Sequence, residues 1–308
     1  MSSGAASMNT TVAAGDVASG RRAARIARKR GDLRSEAQIL EHYQVERELA
    51  DRLRRAPASE RGREYRAVYD ELFRRLPHHP QLAAAAKGDA AEVRRHEIQK
   101  DLDFLERFLE PTSVYMEIGA GDCALTLRVA GQVAEAHAIE VSETITREVA
   151  RPDNFELHLT DGTHIPLSSG TVTVAFSDQL IEHLHPDDAR AQLGEVCRAM
   201  APGGALVCIT PNRLYGPRDI SEYFDERATG LHLREYCARE IRALLLDAGF
   251  DRVRFYAGAR GAFIPMPFFI VSAVESLLDR LPYALRKRLA DNAPMRALLG
   301  LRVAALKD

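Results

Sequence analysis

Apolar residues return every three or four positions from Asp32 to about Leu109, and beyond that the rhythm changes. Tyr65, Val68, Tyr69, Leu72, Phe73 and Leu76 fall on one helical face. Ile39, Leu40, Tyr43, Leu49 and Leu53 make an earlier stripe, and Ile98, Leu102, Leu105 and Leu109 a later one. Ser59 predicts the amino-terminal cap of the middle helix and Pro77 its stop. Between 113 and 258, short apolar runs alternate with helical stretches, the pattern of an open α/β sheet. Val114, Met116 and Ile118 alternate with Tyr115 and Glu117, and Gly119 and Gly121 follow. A helix then begins with Ala124, Leu125, Leu127 and Val129. Further strands are predicted at Ala136–Glu140, Phe155–Leu159, Val172–Phe176, Ala205–Ile209, Asp251–Tyr256 and Leu301–Lys307, with a helix from Tyr236 stopped by Gly249.

A glycine turn between a strand's carboxyl end and a helix's amino end is where such sheets bind nucleotide-like cofactors. The third glycine of a dinucleotide fingerprint would fall on Ala124, and no Gly-Lys-Ser/Thr is present for a P-loop. Glu117, two positions before the first glycine, would repel a pyrophosphate but can accept hydrogen bonds from a cationic amino-acid ligand. Glu140 ends the second strand about twenty residues later, where an acid accepts from both ribose hydroxyls of an adenosine ligand.

Glu117-x-Gly119-x-Gly121 resembles the S-adenosylmethionine (SAM) motif of class I methyltransferases, with Cys123 in place of the last glycine. Asp161-Gly162 after the third strand, Asp178-Gln179 after the fourth and the Pro202-Gly203-Gly204 turn before the fifth belong to the same pattern. The core is similar to methyltransferases of type 11/23 and to polyprenyl-quinone O-methyltransferases. That resemblance implies an α/β, Rossmann-like fold: a seven-stranded, mainly parallel sheet whose antiparallel last strand lies between the fifth and sixth, plus an N-terminal helical cap. The implied organisation is a disordered basic tail (1–31), the cap (32–112), a SAM-binding core (113–258), a helical apolar insertion (259–300) and a final core strand (301–308). The cofactor would be SAM, held by Glu117, Gly119, Gly121, Glu140, Asp161, Gly162, Asp178 and Gln179.

Candidate chemistry follows the fourth and fifth strands. The resemblance to polyprenyl-quinone enzymes maps Glu-x-x-x-Glu-His onto Asp178, Glu182 and His183. Small-RNA 2′-O-methyltransferases carry Glu-x-x-Glu-His, Thr-Pro-Asn and a later His, which fall on Glu182, His183, Thr210-Pro211-Asn212 and His232. In both subfamilies these residues hold a divalent metal. Gln179 in place of the first acid removes a hard oxygen ligand, so a metal at Glu182, His183 and His232 is not favoured. His183 and His232 are the candidate general bases. Asn212, Arg213, Arg218 and Arg234 could meet a polar or anionic acceptor, and Tyr43, Tyr65 and Tyr69 either line its pocket or pack in the core.

The 308 residues are 46% hydrophobic with a formal net charge of −2, which gives no global attraction to nucleic acid. The basic run at 21–31 is read as a solvated tail. The four cysteines have no metal-ligand spacing; with no secretory signal or apolar run of spanning length, a cytoplasmic enzyme with reduced thiols is expected. The run Phe263–Val271 and the helix after it, to Leu281, could cover the active site, bury a greasy acceptor or touch a bilayer surface. The function expected is methyl transfer to an oxygen, or a nitrogen, of a small-molecule acceptor such as a natural product, sugar or lipid-like intermediate. An RNA 2′-O-methyltransferase and a catalytically inactive SAM-binding scaffold are the alternatives.

Overall fold

The computed structural model describes residue 28, residues 31–32, 34–80, 82, 90–142, 151–259 and 261–308; the expected tail and most of its basic run lie outside them. Among the described residues, three helices with given bounds precede the sheet: α1 (Glu36–Arg55), α2 (Ala58–Arg75) and α3 (Ala90–Leu105). Ser35 caps α1 in a reciprocal capping box with Gln38. The expected cap at Ser59 is not used. Pro57 takes the N-cap position of α2 with φ −59° and ψ 149°, and α2 begins one residue before Ser59.

The sheet and its helices follow: β1 (Val114–Ile118), α4 (Ala124–Ala130), β2 (Glu135–Glu140), β3 (Phe155–Leu159), β4 (Val172–Asp178), α5 (Pro186–Ala199), β5 (Met200–Thr210), α6 (Ala238–Asp247) and β6 (Arg252–Ala259). The carboxyl-terminal part holds β7 (Ala262–Met266), α7 (Phe268–Asp279), α8 (Tyr283–Ala290), α9 (Ala293–Leu299) and β8 (Leu301–Leu306). Strand order is β3-β2-β1-β4-β5-β8-β6-β7. Strands β1 to β5 pair in parallel, while β8 runs antiparallel between β5 and β6. The sheet has eight strands, one more than expected. The apolar stretch after 259 does not begin as a helix: Phe263 and its neighbours pair with β6 across a tight reversal at Gly261, giving β7 at the sheet edge.

Chain order reverses between β1 and β4, because β2 and β3 lie to one side and β5 to the other. The crevice at this switch is where an α/β sheet receives its ligand. Alternate strand residues feed two apolar layers. Met116, Ala175, Leu206 and Val303 join the cluster built with α1, α2, α5 and α6. Tyr115, Val174, Val207 and Ala304 face the cluster with α3 and α4.

Helix α2 is fastened over the switch. Arg61 makes a bidentate pair with Asp188 of α5 (both 2.6 Å), and the Tyr65 hydroxyl donates to the same carboxylate (2.7 Å) while accepting from the His185 N–H (2.9 Å). Gly62 allows the close approach: a Cβ there would lie 2.9 Å from Asp161 Cβ. No helix among the described residues is long and apolar enough to cross a membrane. All four cysteines are buried free thiols.

Candidate active site

A cavity of about 360 Å³ opens at the switch. Its floor is the end of β1 with Gly119 and Gly121. One wall is Ile139 to Ser142 with Thr160 and Gly162, and the other is Gln179, Leu180, His183 and Leu184. Tyr65, Arg66, Tyr69 and Phe73 of α2 roof it, and Gln192 of α5 closes a corner while donating to the Gly162 carbonyl (2.6 Å).

The glycine turn is locally dictated. Gly119 has φ +73°, and a Cβ on it would meet Leu180 at 3.0 Å. A Cβ on Gly121 would have no atom within 4 Å, so the turn leaves open space beside its backbone. Cys123, at the third motif position, is also left-handed (φ 60°, ψ 10°). Glu140 accepts from the N–H groups of Gly121 (2.7 Å), Val141 (2.7 Å) and Ser142 (3.1 Å). A carboxylate has about four lone-pair sites, so one remains for a ligand.

Beneath the turn lies an acidic cluster. Glu117 is buried and accepts from Thr126 of α4. Burial pushes its carboxyl up to about 8. Burial likewise lifts Asp178, the last residue of β4, to about 6 and Asp101 of α3 to about 7, the latter also by repulsion from Asp178. Arg94 of α3 holds Asp122 of the turn bidentately (3.1 and 2.6 Å). Carboxyls kept reluctant to ionise by burial favour a cationic ligand, whose charge would stabilise the ionised form.

The two histidines differ. His183 lines the cavity and its Nδ1 pairs with the Leu231 carbonyl at 3.0 Å. This fixes Nδ1 as the donor and leaves Nε2 as the basic atom. Burial and the neighbouring His232 hold its imidazole down at about 3. His232 packs edge-on at 4.7 Å between ring centres and does not line the cavity. Burial opposes its charge, but the 2.8 Å contact with Glu235 and the acids Asp219 and Glu182 raise it to about 9. Glu182 is fully buried; Oε2 accepts from Thr210 (2.9 Å), and Oε1 has no hydrogen-bond partner among the described residues.

Of the residues singled out in the sequence, the cavity gathers Gly119, Gly121, Glu140, Gly162, Gln179 and His183. Glu117 and Asp178 lie behind its floor. Asp161 does not line it: Oδ1 accepts from the N–H groups of Thr163 and His164 (both 2.9 Å). Asn212 and the arginines are also occupied elsewhere. Asn212 is buried, donating to Glu275 (2.6 Å) and to the Leu299 carbonyl (3.0 Å). Arg213 pairs with Asp279 and Glu240, Arg218 with Asp291, and Arg234 with Glu240. Sequence reasoning missed Phe73, Arg66, Gln192 and Asp101. The aromatic stripe of α2 is the one signal that could have found Phe73.

The glycine turn, the strand-end acid and the crevice at the switch agree with what comparison shows. Residues 116–208 match the methyltransferase domain family. These residues form a methyltransferase domain. A probable SAM-dependent methyltransferase of Mycobacterium tuberculosis is 32% identical over 136 residues, 44% of this chain and 47% of that protein. One from Mycolicibacterium smegmatis is 32% identical over 108 residues, 35% of this chain and 40% of that one. The chain thus spans about half the length of the curated relatives it matches. Among solved structures, the complex of the Haloferax volcanii Trm112 methyltransferase activator with a methyltransferase contains a chain of the same fold. The match has TM-score 0.51 at 18% identity, covering 74% of this chain and 97% of that one.

Proposed function

We propose that this protein is a SAM-dependent methyltransferase acting on a hydroxyl of a small, partly apolar acceptor enclosed under α2. The observation that carries the reading is the single cavity wall-to-wall between Glu140 and His183, with the glycine turn as its floor. SAM would be held by Glu140 at the ribose, by the turn at Gly119 and Gly121, and by the Glu117 side of the floor at its amino group. Because Asp161 stands outside the cavity lining, contacts to the adenine would fall to Val141, Thr160 and Gly162. Bound there, SAM supplies an electrophilic methyl group. His183, whose imidazole is held at about 3, would accept the hydrogen bond of the acceptor hydroxyl on Nε2. It would take the proton only as methyl transfer makes that oxygen strongly acidic, with the ring oriented by the Leu231 carbonyl through Nδ1. His232 is the weaker candidate base, since it stands behind His183 and is tied to Glu235. Tyr69 and Phe73 of the roof, with Leu180 and Leu184 of the wall, would desolvate the acceptor.

The test is calorimetric titration with SAM and with S-adenosylhomocysteine, then methyl transfer to a panel of phenols, sugars and hydroxylated lipids. His183→Gln should keep cofactor affinity and lower kcat by about 10²–10⁴-fold. Lost cofactor affinity would instead make His183 a support of the binding loop.

The unpartnered Glu182 Oε1 favours a second reading, in which Glu182, His183 and His232 hold a cation. Their ligand atoms lie within 4.8 Å of one another, and both imidazoles present Nδ1 to an oxygen, as metal-bound histidines do. One oxygen and two nitrogens suit zinc or ferrous iron better than magnesium. Chelation with EDTA separates the readings: activity that survives it belongs to His183 alone, and activity restored by added metal belongs to the cluster.

A further inference from the structure

Helix α7 is apolar on both sides. Val271, Ser272, Glu275 and Leu278 turn inward and are buried. At 100° per residue, Phe269, Ile270, Ala273 and Leu277 form the opposite face. That face is exposed: Phe269 71%, Ile270 36% and Leu277 64%. A helix that only separated core from water would carry polar residues there. The same character continues on both sides along the chain. Ile264 of edge strand β7 is 63% exposed, and Leu285 and Leu289 of α8, one turn apart, are 45% and 44% exposed.

Charge accompanies this surface. Between Ala262 and Ala290 the bases are Arg280, Arg286, Lys287 and Arg288; the acids are Asp279 and buried Glu275. Asp279 is paired with Arg213. Arg280 and Arg288 are exposed, and neither forms an ion pair with a described residue; Arg288 shares the outer face of α8 with Leu285 and Leu289. Aromatic and aliphatic side chains bordered by unpaired arginines match the boundary between acyl chains and anionic headgroups. A second copy of the chain fits less well. A two-fold contact would set this patch against itself and bring like charges together, and Pro265 within β7 blunts that edge against strand pairing.

We propose that the outer faces of β7, α7 and α8 form a docking surface for an anionic lipid bilayer, the apolar residues entering the interface and Arg280 and Arg288 meeting headgroup phosphates. This is peripheral attachment and leaves the fold unchanged.

Co-sedimentation of the full chain with vesicles of pure phosphatidylcholine, and of phosphatidylcholine containing phosphatidylglycerol, tests it. The anionic vesicles should be bound roughly tenfold or more tightly at low salt, since each basic residue near the surface contributes measurably, and the preference should shrink as salt rises. Phe269→Ser with Leu277→Ser should abolish binding to both vesicles, and Arg280→Glu with Arg288→Glu should abolish only the anionic preference. All four side chains are exposed, so urea midpoints should stay within error of the parent and confirm intact folding. Two results would overturn the proposal: absence of binding to either vesicle, or variants that bind as the parent does. Sedimentation equilibrium without lipid supplies the remaining arm. A dimer dissociated by the Phe269 and Leu277 substitutions, together with no vesicle binding, would assign the surface to self-association.

Discussion

Cys123 and Gln179 are the two described non-glycine residues with positive φ, 60° and 49°, and both flank the crevice between β1 and β4. Left-handed backbone costs an L-residue roughly 1–2 kcal/mol, and such outliers gather where a chain must present its backbone to a ligand. The Gln179 side chain is exposed, so Gln179→Gly removes little packing. We expect it to stabilise the fold by about 0.5–1 kcal/mol, the relieved strain less the added freedom of the unfolded chain. Urea denaturation measures this, and a destabilised variant would show that the side chain holds the loop. Glu117 gives a pH prediction. Its folded carboxyl is raised from 4.5 to about 8, so its contribution to stability is full below about 4.5 and is lost as pH rises through 8. A SAM ammonium would favour the ionised form. Binding near pH 7 should therefore release a proton, and affinity should rise with pH by up to about tenfold per unit. The rise should end near pH 8, where an α-amino group of pKa about 7.7–8.0 deprotonates. Titration heats identical in phosphate and Tris buffers would reject this role for Glu117.

At the scale of elements, α2 does two jobs, and Tyr65 shares in both. Its inner stripe, Tyr65, Val68 and Leu72, joins the core, while Tyr69, Phe73 and Arg66 roof the cavity. The helix can serve as a roof because it is pinned to α5 through Arg61, Tyr65 and Asp188. Asp188→Ala would leave the Arg61 guanidinium buried without its partner, and we expect a loss of about 3–5 kcal/mol with weaker cofactor binding. A change below about 1 kcal/mol in urea unfolding would mean that water reaches Arg61 and that the pair is peripheral.

On the scale of the whole molecule, the cap and the sheet share one apolar cluster: Leu49, Leu53 and Leu72 belong with Met116, Ile181 and Leu206. One continuous core predicts that helices α1 and α2 do not melt separately, so circular dichroism and aromatic fluorescence should report one coincident urea transition. A ligand bound under the α2 roof stabilises that unit as a whole. At a hundredfold excess over Kd, SAM should add about 2.7 kcal/mol, read as a raised Tm. An unchanged Tm in saturating SAM would exclude tight binding at this cavity.

The chain's own pattern determined where β1, the glycine turn and Glu140 lie, since alternation and a turn glycine are properties of neighbouring residues. That β8 returns to the sheet between β5 and β6 was implied by the family resemblance those residues carry. Other features needed tertiary structure, because they depend on segments far apart in sequence. The Leu231 carbonyl selects the Nε2 face of His183, and Glu235 ties His232 behind it. Asp101 enters the acidic cluster only because α3 packs over the ends of β1 and β4. Arg213 is held by Asp279, and Asp161 by its own turn, so charges that look available in the sequence are already hydrogen-bonded within the fold. Local periodicity fixes which residues share a face. Which faces meet, and so which charges remain for a ligand, is decided when the helices pack on the sheet.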